Sequence, residues 1–106
     1  MGFISAMFGK KDNGSLAQAI KEGALLVDVR TPAEFSEGSV EGAVNIPLDK
    51  IPGQFAKFNG RKNIVVFCRS GSRSGQAKHI LEQRGFKNVI NGGTWRSVDK
   101  LVTKKT

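Results

Sequence analysis

The feature that most constrains this chain is the run Ile64-Val65-Val66-Phe67-Cys68-Arg69-Ser70-Gly71-Ser72-Arg73-Ser74. It opens with four consecutive apolar residues, mostly β-branched, and such a run reads as a buried strand. The protein's single cysteine stands at the strand's end, a short polar turn containing glycine follows, and a helical pattern comes after the turn. Sheets of α/β proteins bind ligands at the carboxyl ends of their strands, where the next helix presents its N-terminus. Free helix N–H groups and the positive end of the helix dipole therefore converge on Cys68. That environment favours a thiolate over a thiol, and Arg69 and Arg73 add positive charge beside it. Cys68 reads as a nucleophile in an anion-binding loop.

The rest of the chain supplies the frame for that unit. Its 106 residues give room for one domain with one real hydrophobic core. After a turn at Asp12-Asn13-Gly14, Ser15 is expected to open a helix, with Gln18 completing a capping box and Gly23 ending it. Ala24–Val29 reads as the first buried strand. Thr31-Pro32-Ala33-Glu34 then combines an N-cap, a proline at the first helical position and a capping-box glutamate. A short strand is expected near Val44–Ile46, stopped by Pro47. Ile51, Phe55 and Phe58 are spaced for one face of a third helix, closed by Asn59-Gly60.

Beyond the cysteine loop, Ser74 reads as a turn or N-cap residue. Ala77, Ile80 and Leu81 mark the buried face of the next helix, Gly85 sits just past its end, and His79 falls on its exposed side. Val89-Ile90 is the last short strand, with Asn91-Gly92-Gly93-Thr94 after it, and Trp95, Val98 and Leu101 suggest a final amphipathic helix. Strands alternating with helices indicate an α/β domain with a largely parallel sheet. The division expected is an N-terminal extension over 1–14, the domain over 15–102 and a basic tail over 103–106.

Charge and cysteine usage narrow the function. One cysteine excludes an intramolecular disulfide framework, and no Cys/His cluster has zinc-ligand spacing. The net charge of +8 is uneven: residues 1–59 carry a net −1 and residues 60–106 a net +9, the half that holds Cys68. A basic field around a nucleophile concentrates anionic substrates. Nucleic acid is not expected, because the chain lacks tyrosine and any run interleaving basic with aromatic residues. Phe3, Ile4, Met7 and Phe8 have helical spacing, but their run is far shorter than the about 20 residues that span a bilayer. Nor do residues 2–11 have the regions of a signal peptide, and Ala6 breaks a myristoylation pattern beginning at Gly2. The expectation is a cytoplasmic monomer without stable membrane insertion.

Spacing within the loop bears on the chemistry. Cys68 to Arg73 is Cys-x4-Arg, one residue shorter than the Cys-x5-Arg loop of cysteine phosphatases. A shorter cradle is too tight for a phosphate monoester, yet can hold one soft, charged atom on the cysteine, as a persulfide sulfur would be. Four segments, LLVDVRTPAEF, GSVEGAVNIP, IVVFCRSGSRS and GFKNVINGGTW, occur in the order found in single-domain rhodaneses, and over about Ser15 to Leu101 the chain resembles that sulfurtransferase family. The resemblance implies a rhodanese-like three-layer α/β domain, with a central, mainly parallel sheet and helices on both faces. It implies that Cys68 becomes persulfidated and that Arg69, Ser70, Gly71, Ser72 and Arg73 line the loop with amides facing the transferred sulfur. Asp28 and Arg30 match the family's Asp-Val-Arg signature and are expected to frame the site. Ser39 stands where many members carry histidine, and Trp95 follows Gly92-Gly93 more closely than is common.

The activity so implied is thiosulfate sulfurtransfer with no cofactor and no metal. Thiosulfate or another small anionic donor would give sulfur to Cys68, and cyanide or a thiol would accept it. Three alternatives stand beside it: a persulfide carrier fed by a partner protein, a binding module that keeps the fold, and a cysteine phosphatase or arsenate reductase.

Overall fold

A computed structural model describes residues 14–104. The apolar segment containing Phe3 and Phe8, the Asp12-Asn13 pair and Lys105 lie outside the described residues. Helix α1 covers 14–21, and the chain then forms β1 (Leu25–Asp28), α2 (Pro32–Ser36), β2 (Val44–Asn45), two 3-10 turns (Leu48–Gly53 and Phe55–Phe58), β3 (Ile64–Cys68), α3 (Ser72–Gln83), β4 (Val89–Thr94) and α4 (Trp95–Lys104). The four strands form one sheet in the order β2-β1-β3-β4, every pair parallel. The chain is thus α/β with a parallel sheet, as its alternating pattern predicts.

Strand alternation builds the core as two clusters, one on each face of the sheet. Ile64, Val66 and Cys68 of β3 join Val27, Ile51, Phe58, Ala77 and Leu81 on the face covered by α3 and the 3-10 turns. Val65 and Phe67 point the other way, to Leu16, Ala19, Ile20, Val40 and Val98 beneath α1 and α4. All five residues of β3 are buried, which explains an apolar run without polar interruption. Cys68 is therefore the last core residue of the central strand as well as the first residue of the loop.

Helix ends fall at glycines. Gly23 adopts φ +87°, Gly23 N–H reaches Ile20 O at 3.0 Å, and Ala24 N–H reaches Ala19 O at 3.1 Å. The same paired bonds recur at Gly85, whose N–H reaches Glu82 O while Phe86 N–H reaches Leu81 O. Both ends are Schellman caps.

Four local expectations are corrected. Gly14 is already helical, so Ser15 is not the N-cap of α1, and Gln18 donates to Glu22 (2.8 Å) rather than closing a capping box. The third helix is two 3-10 turns; Pro52 lies inside the first, where it offers no N–H, although Ile51 and Phe58 are buried as the spacing predicts. The last strand does not stop at Ile90. It continues to Thr94, with Gly92 as the extra residue of a bulge between Val66↔Asn91 and Phe67↔Gly93. A Cβ on Gly92 would lie 2.7 Å from Val98 and 3.0 Å from Val65, so only glycine allows α4 to pack there. Ser74, expected at a turn or cap, lies buried within α3, whose N-cap is Gly71.

Candidate active site

The carboxyl end of the sheet carries two strand-to-helix turns, one after β1 and one after β3. The second turn places Cys68. Its helix begins at Gly71, which has φ +97° and offers no side chain as a cap. The free amides turn instead to the cysteine: Gly71 N–H reaches Sγ at 3.0 Å and Ser74 N–H at 3.4 Å. Ser74 is not a turn or cap residue. It lies inside α3, fully buried, with its Oγ 3.5 Å from the Cys68 sulfur and 2.7 Å from Asn91 Oδ1. Burial works to raise the thiol's pKa, but the Ser74 hydroxyl and the Ser74, Ser70 and Gly71 N–H groups outweigh it and bring it below the ordinary value.

The other loop residues divide. Arg69, Ser70 and Ser72 are exposed around the sulfur's amide cradle. Arg73 turns away to the β1 side, where its guanidinium grips Glu34 with both Nη atoms, at 2.8 and 3.1 Å. Glu34 is also the capping-box residue of α2, taking the N–H of Thr31 at 3.0 Å. The Arg73 bonds, with help from Thr31, hold the Glu34 carboxyl far below its ordinary 4.5, at about 2. Arg73 thus sends positive charge toward Cys68 from a fixed position.

Asp28 and Arg30 form a buried pair at the end of β1. Arg30 donates from Nε to Oδ1 (2.9 Å) and from Nη2 to Oδ2 (2.6 Å), and its Nη2 also reaches Gly38 O at 2.7 Å. Ser39 Oγ donates to Asp28 Oδ2 at 2.6 Å and so ties its loop to the buried pair. Trp95 lies under two cations, 5.1 Å from Arg30 and 4.6 Å from Arg96. A cleft of about 420 Å³ opens here, lined by Arg30, Arg69 and Arg96, by Glu34 and Glu37, and by Trp95. Cys68 is buried at the strand end beside this cleft rather than in its lining. Among the described residues, no group of three or more His, Cys, Asp or Glu is placed to hold a metal ion. His79 is exposed on α3.

Sequence reasoning misses Glu34, Ser74 and Asn91 as parts of this site. A hydroxyl just before an apolar helical face looks like a cap, and Asn-Gly-Gly looks like a turn; only the register of β4 brings Asn91 to α3.

The family model of the rhodanese-like domain matches residues 12–94. A sulfurtransferase of Allochromatium vinosum is 39% identical over 87 residues, which cover 80% of this chain and 81% of that protein. Thiosulfate sulfurtransferase PspE of Escherichia coli is 38% identical over 74 residues, covering 68% of this chain and 71% of the relative. Among solved structures, a rhodanese from E. coli determined with anions superposes with a TM-score of 0.65 at 36% identity, covering 71% of this chain and 91% of that one. The chain belongs to the rhodanese family of sulfurtransferase-related proteins. Its relatives also include a Bacillus subtilis protein named as a sulfur carrier, 35% identical, of which this chain covers 36%.

Proposed function

We propose that the protein is a thiosulfate sulfurtransferase that works through a persulfide on Cys68. The observation that carries this reading is the cradle: a thiol at the end of a buried strand, with its pKa lowered, faced by the N–H groups of Gly71 and Ser74. In the first half-reaction the Cys68 thiolate attacks the outer sulfur of thiosulfate. The S–S bond of the donor breaks, sulfite leaves with the electron pair, and Cys68 carries Sγ–S⁻. The loop amides stabilise the charge on that sulfur. In the second half-reaction an acceptor nucleophile attacks the outer sulfur and the Cys68 thiolate departs; cyanide becomes thiocyanate, and a thiol becomes a persulfide. Two covalent half-reactions predict ping-pong kinetics.

The same reading gives the neighbouring residues their roles. Arg69 and Arg96 meet the anionic donor at the cleft, while Arg73, held by Glu34, contributes charge rather than a direct grip. Ser70 and Ser72 shape the turn, and Asp28 with Arg30 fixes the neighbouring wall. A cytoplasmic setting suits the second step, since thiol acceptors stay reduced there. No helix of the described residues is long and apolar enough to cross a membrane.

Intact-protein mass spectrometry after brief incubation with thiosulfate tests the reading. Wild type is expected to gain one sulfur atom and lose it on addition of cyanide, and Cys68→Ser is expected to gain none. Absence of the adduct in wild type would overturn thiosulfate as donor. The similarity to the protein named as a sulfur carrier supports a second reading, in which a partner protein loads the same cysteine; loading by a protein persulfide but not by thiosulfate would select it.

A further inference from the structure

Asn91 is hydrogen-bonded into the loop from a neighbouring strand, and nothing in the proposed transfer requires it. It stands on β4 beside the bulge, and its amide makes three contacts. Oδ1 accepts from the Gly93 N–H at 2.9 Å and from Ser74 Oγ at 2.7 Å, while Nδ2 donates to Gly71 O at 3.3 Å. The Gly93 N–H can only donate, so the atom facing it must be the amide oxygen, and the orientation of the amide is fixed. Ser74 must then give its hydroxyl proton to Asn91. A serine hydroxyl has one proton, and the cysteine sulfur lies 3.5 Å from the same oxygen.

We propose that Asn91 is a positioning residue that competes with the Cys68 sulfur for the single hydroxyl proton of Ser74. While the cysteine is a thiol, Ser74 donates to Asn91 and offers the thiol a lone pair. When the thiol proton leaves to solvent base, the hydroxyl can swing its own proton to the sulfur anion, at the cost of its bond to Asn91. Asn91 thereby makes the resting thiolate less stabilised, and so more nucleophilic, than the Ser74 hydroxyl alone would leave it. The inference deepens the proposed sulfur-transfer reading and rests on it for its purpose, but the geometry belongs to the free enzyme.

Charged groups come from several neighbouring elements. Arg69 flanks the sulfur on its own loop, Arg73 stands on α3, and Glu34 on α2 holds Arg73. Asp28 and Arg30 close the end of β1, and Arg96 stands on α4, whereas β4 contributes only uncharged side chains. None of them differs among the variants that test the proposal.

The test is the pH dependence of Cys68 alkylation by iodoacetamide, which reads the protein's single thiol and needs no sulfur donor. Asn91→Leu keeps the volume and removes both polar atoms, and Asn91→Ala serves as a second variant. Each is measured with Ser74 intact and in the Ser74→Ala background. With Ser74 intact, loss of the Asn91 oxygen is expected to move the titration to lower pH, with alkylation about three- to tenfold faster at pH below the midpoint. Ser74→Ala alone is expected to move it to higher pH. In the Ser74→Ala background, loss of Asn91 is expected to shift nothing further. A shift to higher pH on loss of Asn91, an equal shift in both backgrounds, or no shift at all overturns the proposal, the first two marking a mere prop for the loop. Failure of thiosulfate to load Cys68 leaves this titration unchanged, so failure of the transfer reading and failure of this inference are distinguishable.

Discussion

The turns after β1 and β3 solve one problem in opposite ways. Each ends a buried strand at the same edge of the sheet and starts a helix, and each helix begins with unsatisfied N–H groups. The turn after β1 closes on itself: Thr31 Oγ takes the Glu34 N–H at 3.2 Å, and the Glu34 carboxylate takes the Thr31 N–H at 3.0 Å. At the turn after β3, Gly71 caps nothing, and the amides of Gly71 and Ser74 point at a cysteine sulfur. A capped helix start is spent on its own chain, whereas one begun by glycine keeps its amides for a guest atom. The two are tied by Glu34, which caps the first and holds Arg73 of the second.

Gly71→Ala should break the contrast most severely. A side chain at φ +97° costs about 1–2 kcal/mol. The added Cβ itself meets only ordinary contact, 3.5 Å from Gly93, so the penalty is conformational. Relief of that strain turns the Gly71 N–H away from Sγ, and transfer is expected to fall about ten- to a hundredfold, approaching the range seen for loss of an oriented anion donor. Urea unfolding and cyanide-dependent turnover measure the two effects. Lost stability with full turnover would remove the Gly71 amide from the mechanism.

How much of this is legible in the sequence depends on how local the cause is. The capping box of α2 is readable because its partners are three residues apart. The buried strand β3 and its cysteine are readable from an apolar run that ends at a turn, and the parallel sheet from the alternation of elements. Ser74 is misread because a hydroxyl near a helix start is commonly a cap; the left-handed Gly71 starts the helix early enough to place Ser74 inside its first turn. The grip of Arg73 on Glu34 joins residues 39 apart, and no local pattern announces it. Asn91 reaches Ser74 only because β4 continues through Gly92, and that depends on the packing of Val98 and Val65 against the glycine. Tertiary packing, not propensity, decides those three.

Thr31→Ala sharpens the contrast from the other side. It removes the acceptor for the Glu34 N–H and the 3.1 Å bond from Thr31 Oγ to the carboxylate. Loss of such a cap costs about 1 kcal/mol. Glu34 keeps both bonds to Arg73, so turnover is expected to stay within about twofold while the thermal midpoint falls. A loss of turnover comparable to that of Gly71→Ala would show that the two turns work as one unit.

The smallest effect lies in the tie between them, and the carboxyl sets its sign. Glu34 is held at about 2 in the folded protein against an ordinary 4.5, chiefly by its bonds to Arg73. A group depressed by folding stabilises the fold when ionised in both states, so the contribution is complete above 4.5 and drains away as pH falls toward about 2. The pair is partly open to solvent, with 28% of the Glu34 side chain exposed, so screening holds its worth to about 1 kcal/mol or less. Glu34→Gln should therefore be slightly less stable than wild type near neutrality, and the two should converge as the medium becomes acidic. Denaturant midpoints taken across that window, at low and high salt, measure the convergence. Parallel curves would mean that Arg73 is positioned by the packing of α3 alone, and that the charge it directs at Cys68 does not depend on the neighbouring turn.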